Sequence, residues 1–128
     1  MNFRTERNDY GQSKKDRLST YQKYDGHCAY CGKALSTIKD MQVDHIWSKR
    51  NGGGDFLENY NPSCRRCNHY KRVMGVEEFR EYIKSLHNRI AKDYITKVGI
   101  DYGIVMLKPF DGVFYFEKEK DNVTRSVL

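Results

Sequence analysis

The cysteines of this chain occur only as two pairs, Cys28-x-x-Cys31 and Cys64-x-x-Cys67. A gap of two residues lets both sulfurs of a pair reach one ion, and four thiolates make the tetrahedral donor set that zinc favours. Between Cys31 and Cys64 lie 32 residues, more than the roughly 15–20 of a plain ribbon spacing. A zinc clamp at Cys28, Cys31, Cys64 and Cys67 would therefore close a loop large enough to hold further groups. Four thiolates leave the ion no open position, so this zinc is expected to be structural. Four free thiols, or a redox pair, are the competing readings. The knuckle-like neighbours Gly32 and Asn68 favour the metal.

The redox compartment bears on that choice. The N-terminal stretch MNFRTERNDYGQSKKDR is polar and lacks an apolar signal core, and no apolar run is long enough to span a bilayer. A reducing, cytoplasmic location is the expectation, where such pairs bind metal rather than form disulfides. The 128 residues suit a single domain, 1–128, with modest capacity to bury a core. Hydrophobic content is 38%, low enough for a metal staple to matter. The net charge of +6 points to an acidic partner, nucleic acid first. A ribosomal or membrane-surface role fits that charge equally well.

Hydrophobic and turn patterns predict an α+β chain. Lys14 to Tyr24 can form a helix with Leu18 and Tyr21 on one face, ended by Asp25-Gly26. Met41 to Ile46 alternates like a strand, and Asn51-Gly-Gly-Gly-Asp55 reads as a loop. A helix can start at the second cysteine pair, Arg65 to Val73. After Gly75 a longer helix, about Val76 to Lys97, carries an apolar stripe of Phe79, Ile83, Leu86, Ile90 and Tyr94. Ile104 to Leu107 and Val113 to Phe116 read as a C-terminal β-hairpin turning at Pro109-Phe-Asp-Gly112. Residues 1–13 are expected to fray, and the charged end from Glu117 to Leu128 is uninformative.

Within the clamp, Asp44-His45-Ile46 is followed by the glycine loop and then by Asn59-Tyr-Asn-Pro-Ser-Cys64-Arg-Arg-Cys67-Asn68-His-Tyr-Lys71. This order, with 14 residues from His45 to Asn59 and nine from Asn59 to Asn68, resembles the HNH endonucleases. The resemblance covers about residues 17–75, and an extension follows at about 76–117. It implies a ββα-metal core stapled by the four cysteines. It also implies the roles of the polar residues. His45 would be the general base on the attacking water. Asn59 would hold the inter-strand loop by hydrogen bonds to backbone. Asp44 and Asn68 would bind the catalytic divalent ion. The implied activity is metal-dependent hydrolysis of DNA, by nicking or double-strand cutting. Small free-standing forms of the family occur in bacteria and phage, so a bacterial or phage-infected cell is the implied setting.

The chemistry of the residue types agrees. A histidine titrating near neutrality is a competent base. Oxygen donors suit Mg²⁺ or Mn²⁺, other divalent ions remaining open, and two protein ligands leave room for phosphate oxygens and water. Arg65, Arg66, Lys71 and Arg72 could bind phosphates, and Lys71 is singled out because it shares a helical face with Asn68. Taken singly, Asp44-His45 could be a surface pair, Asn59 a turn residue, Asn68 a knuckle cap, and Lys49 and Arg50 a solvated face. Trp47, where the family often places proline nearby, is expected in the core rather than stacking on nucleic acid. A larger assembly or a homodimer is compatible with the sequence. The alternative to an enzyme is an inactive zinc-stabilised module that binds nucleic acid or inhibits a protein.

Overall fold

The computed structural model describes residues 12–119. The expected fraying of residues 1–13 and the tail beyond 119 fall almost wholly outside that range. The described residues fall into two compact units, one of residues up to Gly75 together with Phe114 onward, the other Val76–Val113. No helix of the described residues is long and apolar enough to cross a membrane.

The first unit begins with α1, Lys14–Gln22, where Ser13 caps the helix by accepting the Asp16 N–H at 3.0 Å. The helix stops two residues short of the expected Tyr24. Asp25 and Gly26 both adopt positive φ and turn the chain toward the first cysteine pair. The expected face is also revised: Thr20 is buried whereas Leu18 is 48% exposed. Long cations anchor the helix instead. Arg17 donates to the carbonyls of Ile38 and Met41, each at 3.3 Å. Lys23 donates to those of Leu57 and Tyr60.

Strands β1, Gln42–His45, and β2, Tyr60–Ser63, pair antiparallel, with Asp44 opposite Asn61 and His45 opposite Tyr60. Helix α2, Arg65–Lys71, follows β2 directly and lies against β1. The result is an α+β unit with a ββα centre. The Ala29 N–H reaches the Pro62 carbonyl at 2.8 Å, which ties the first cysteine knuckle to β2. Pro62 has no N–H to offer a ladder, and a sheet of only two strands tolerates that. Around this centre Tyr30, Leu35, Met41, Val43, Tyr60 and Phe114 are buried.

In the second unit the expected helix from Val76 to Lys97 is two helices, α3, Val76–Ala91, and α4, Tyr94–Asp101. Asp93 divides them, because its extended backbone and side chain cap α4 by accepting the Ile95 N–H. The expected β-hairpin is absent from the described residues. The Ile104 and Val105 N–H groups both donate to the Gly99 carbonyl. They are spent on closing α4 and cannot enter a ladder. Residues 115–119 are helical. The Glu117 carboxylate accepts the Phe114 N–H at 2.8 Å, and Phe114 meets the Tyr30 ring edge-on at 5.3 Å. Aromatic packing on the first knuckle therefore overrides the strand-like alternation of that segment.

The glycine loop joins β1 to β2 through short 3-10 turns at Lys49–Asn51 and Leu57–Asn59. At Gly53 an added Cβ would lie 1.7 Å from the Trp47 carbonyl oxygen, whereas at Gly75 it would meet nothing within 4 Å. Gly53→Ala should therefore lower stability by about 1–3 kcal/mol through forced backbone displacement. Gly75→Ala should stay within about 0.5 kcal/mol of the parent. Urea denaturation of both variants checks the contrast.

Candidate active site and thiolate cluster

The sulfurs of Cys28, Cys31, Cys64 and Cys67 all lie within 4.8 Å of one another. A tetrahedral zinc with Zn–S bonds of about 2.3 Å sets its sulfurs roughly 3.8 Å apart, and Cys31 and Cys64 stand at 3.9 Å. The donor set and spacing thus fit zinc. Local backbone produces this geometry. Gly32, at φ +80°, closes the first knuckle with its N–H on the Cys28 carbonyl. Cys64 is the N-cap of α2, where its sulfur accepts the Cys67 N–H at 3.4 Å. Hydrogen bonds from Cys31 and Cys67 hold the Cys28 thiol far below its usual range. The Cys31 thiol, donating to Cys28, is pushed up to about 11. The same cluster pushes Cys67 far up. Sulfurs crowded in this way cannot all ionise without a cation between them.

The knuckle also carries Tyr30, whose hydroxyl donates to Asp44 Oδ2 at 2.5 Å. Asp44 is 4% exposed and Lys71 is fully buried. Lys71 Nζ lies 3.0 Å from Asp44 Oδ2 and donates to the His45 carbonyl at 3.0 Å. Burial pushes the Asp44 carboxyl up, opposed by Lys71 and the Tyr30 hydroxyl. Burial and the neighbouring Asp44 raise Tyr30 well above its usual range, so it remains a hydroxyl donor. The expected role of Lys71 as a phosphate contact is thereby corrected. A side chain with no exposure cannot reach an external phosphate, and its ammonium already balances Asp44. Lys71 does share a helical face with Asn68, but that face turns onto β1.

Asp44 nevertheless keeps capacity for a cation. A carboxylate has about four acceptor positions. Tyr30 and Lys71 occupy Oδ2, and Lys71 also approaches Oδ1 at 3.2 Å. Asp44, His45 and the half-buried Asn68 line one open cleft of about 620 Å³, together with Ser48, Lys49, Arg50 and Arg72. An acid, an amide and an imidazole facing one cavity offer hard oxygen donors beside a base, which fits a divalent ion of the magnesium class. The expected phosphate-binding residues separate. Arg72 lines this cleft, Arg65 lines a different one with Lys33 and Asp40, and Arg66 is exposed.

His45 ends β1, and its Nε2 lies 2.8 Å from Asp55 Oδ1. The other Asp55 oxygen binds Lys49 Nζ at 2.8 Å. These contacts, Lys49 foremost, hold the Asp55 carboxyl below the usual range. Asn59 is buried and spans the loop. Its Oδ1 accepts the Trp47 N–H at 2.9 Å, and its Nδ2 donates to the carbonyls of Trp47 and Gly54. Trp47 is not the core residue expected from its size, since its ring is left in solvent at 61% exposure while its backbone is held by Asn59. Sequence reasoning passed over Tyr30 and Asp55. Tyr30 sits inside a knuckle whose cysteines dominate the pattern. Asp55 follows a glycine run and carries no spacing that marks it.

Residues 28–72 match the family model described as HNH endonuclease. Comparison with curated proteins returned no match. Among solved structures the chain is similar to the crystal structure of the Type II-C Cas9 enzyme from Actinomyces naeslundii, at 19% identity and a TM-score of 0.49. That similarity covers 78% of this chain and 12% of the Cas9 chain, so this chain spans only a small part of that enzyme's length.

Two outcomes follow from the geometry. A structural zinc site in a small domain contributes about 10 kcal/mol or more of apparent binding energy, comparable with a whole domain's stability of about 5–15 kcal/mol. Elemental analysis should find one zinc per chain, and its removal by chelation should abolish the far-ultraviolet signature of the folded first unit. Lys71→Ala leaves a buried carboxylate without its cation and should cost about 3–5 kcal/mol in chemical denaturation. Adding Asp44→Asn to Lys71→Met should restore a large part of that loss.

Proposed function

We propose, from the match of residues 28–72 to the HNH endonuclease model, that this chain hydrolyses phosphodiester bonds of DNA at the Asp44–His45–Asn68 cleft. The observation that carries this reading is the shared cleft itself. A base, an acid and an amide line it beside three cations, Lys49, Arg50 and Arg72.

In this reading His45 takes the proton of the attacking water. Asn59, by bridging Trp47 and Gly54, keeps the loop closed over the end of β1 and so keeps His45 in place. Asp44 and Asn68 hold the divalent ion, Mg²⁺ or Mn²⁺, which when bound supplies Lewis acidity at the phosphate and neutralises charge on the leaving oxygen. Lys71 and Tyr30 fix the Asp44 carboxylate from behind, so that only its remaining lone pair is offered to the cleft. Lys49, Arg50 and Arg72 receive the phosphates flanking the scissile bond, with salt-dependent affinity. Reduced thiols are needed for the cysteine cluster, which suits a cytoplasmic setting.

The test is cleavage of supercoiled plasmid by the zinc-loaded protein with Mg²⁺ or Mn²⁺. Wild type should nick or linearise the DNA, and His45→Ala should be slower by about 10²–10⁴-fold, the usual share of a general base. A wild type that binds DNA but never cuts it, under either ion, would instead be the inactive binding module.

A further inference from the structure

The imidazole of His45 has two nitrogens, and only one can be the acceptor in its neutral form. The loop decides which. Asp55 Oδ1 stands 2.8 Å from Nε2, and an ionised carboxylate accepts hydrogen bonds but cannot donate them. Nε2 must therefore carry the hydrogen, which leaves the lone pair on Nδ1. The rest of the surroundings restrain the ring and the carboxylate together. Tyr60 meets the His45 ring edge-on at 5.3 Å. Lys49 binds the second Asp55 oxygen at 2.8 Å. The Gly54 carbonyl, one residue before Asp55, is held by Asn59 Nδ2 at 2.9 Å. The Gly53 N–H is held by the Ser48 carbonyl at 2.8 Å.

We infer that Asp55 is a positioning residue for His45, locking the ring as its Nε2–H tautomer so that Nδ1 is the nitrogen that acts on water. The tautomer stands on geometry alone, and the catalytic consequence rests on the nuclease reading above. In that reaction the water oxygen forms a bond to phosphorus as its proton passes to Nδ1. The bond from phosphorus to the leaving 3′ oxygen breaks, and that oxygen takes a proton from solvent. Without Asp55 the ring divides between two tautomers and more than one orientation. Part of the population then presents an N–H where a lone pair is needed.

The test reads both levels on the zinc-loaded full chain. Side-chain nitrogen NMR in mildly alkaline buffer, with His45 assigned by loss of its signals in His45→Gln, reports the tautomer directly. Wild type should show the Nε2–H pattern and Asp55→Ala a mixture. In single-turnover plasmid cleavage Asp55→Ala should be slower by about 10- to 100-fold, a fraction of the general-base contribution. Its DNA affinity should be nearly unchanged, and Asp55→Glu should recover much of the rate. The inference is overturned if wild-type His45 is the Nδ1–H tautomer or a mixture. It is also overturned if Asp55→Ala keeps both the pure tautomer and the wild-type rate. If no protein cuts DNA but the tautomer responds as described, the positioning stands and the nuclease reading fails.

Discussion

The convergence of four sulfurs from two distant knuckles is the constraint on which the rest of the first unit depends. The first knuckle carries Tyr30 and the second starts α2, which carries Asn68 and Lys71. Holding the four sulfurs within 4.8 Å therefore sets where Tyr30 and Lys71 meet Asp44. A loop of this length has a closure entropy that grows only slowly with its size, so one metal clip can define it. The strand pair between the knuckles has only four residues per strand, and an isolated hairpin of that size is marginal in water. The clamp and the Lys71 bonds to Asp44 and the His45 carbonyl together hold β1 against α2.

The clamp also explains why so polar a centre can be buried. Asp44, Lys71, Asn61 and Tyr30 lie together with almost no solvent exposure. Removing two opposite charges from water costs several kcal/mol per ion, and their attraction offsets that only with good geometry and further hydrogen bonds. Both conditions hold here. Lys71 reaches the Asp44 carboxylate and the His45 carbonyl, and Tyr30 donates to Asp44 while accepting from Asn61 Nδ2 at 3.3 Å. Asn61 Oδ1 finds no partner among the described residues. The network is thus held together by the surrounding fold as much as it holds that fold together.

What was legible in the sequence follows the range of each signal. The cysteine pairs, the start of α2 at Cys64 and the β1 strand depend on local spacing, and the structure reproduces them. The α3 stripe is local too, yet Asp93 interrupts it, because a capping side chain competes with helix continuation wherever the chain can turn. The C-terminal hairpin failed for a non-local reason. Phe114 and Phe116 alternate like a strand, but both rings pack on Tyr30, some 85 residues earlier in the chain. Lys71 misled in the same way. Its spacing from Asn68 places both on one helical face, but periodicity does not reveal whether a face turns to solvent or to a buried carboxylate. Asp55 could not be found at all, because its partner lies across a glycine loop whose path is set by Asn59 and by the close approach at Gly53.

The two faces of β1 tie these observations into one physical arrangement. Adjacent strand residues point oppositely, so Asp44 and His45 could not share a cleft on a long regular strand. Here the strand ends at His45. Asp44 turns inward, where a lysine and a tyrosine restrain it, and His45 turns toward a loop carboxylate. Each is therefore oriented by a separate set of partners, one drawn from the cysteine-anchored elements and one from the glycine loop. Lys71 and Tyr30, both on cysteine-anchored elements, fix the Asp44 carboxylate. The imidazole depends on a loop whose own anchor is the Asn59 amide. A disturbance of that loop would disorder His45 while leaving Asp44 and the thiolate cluster intact. The orientation of His45 and the integrity of the thiolate cluster thus rest on different contacts in this small unit, the loop holding the first and the two knuckles the second.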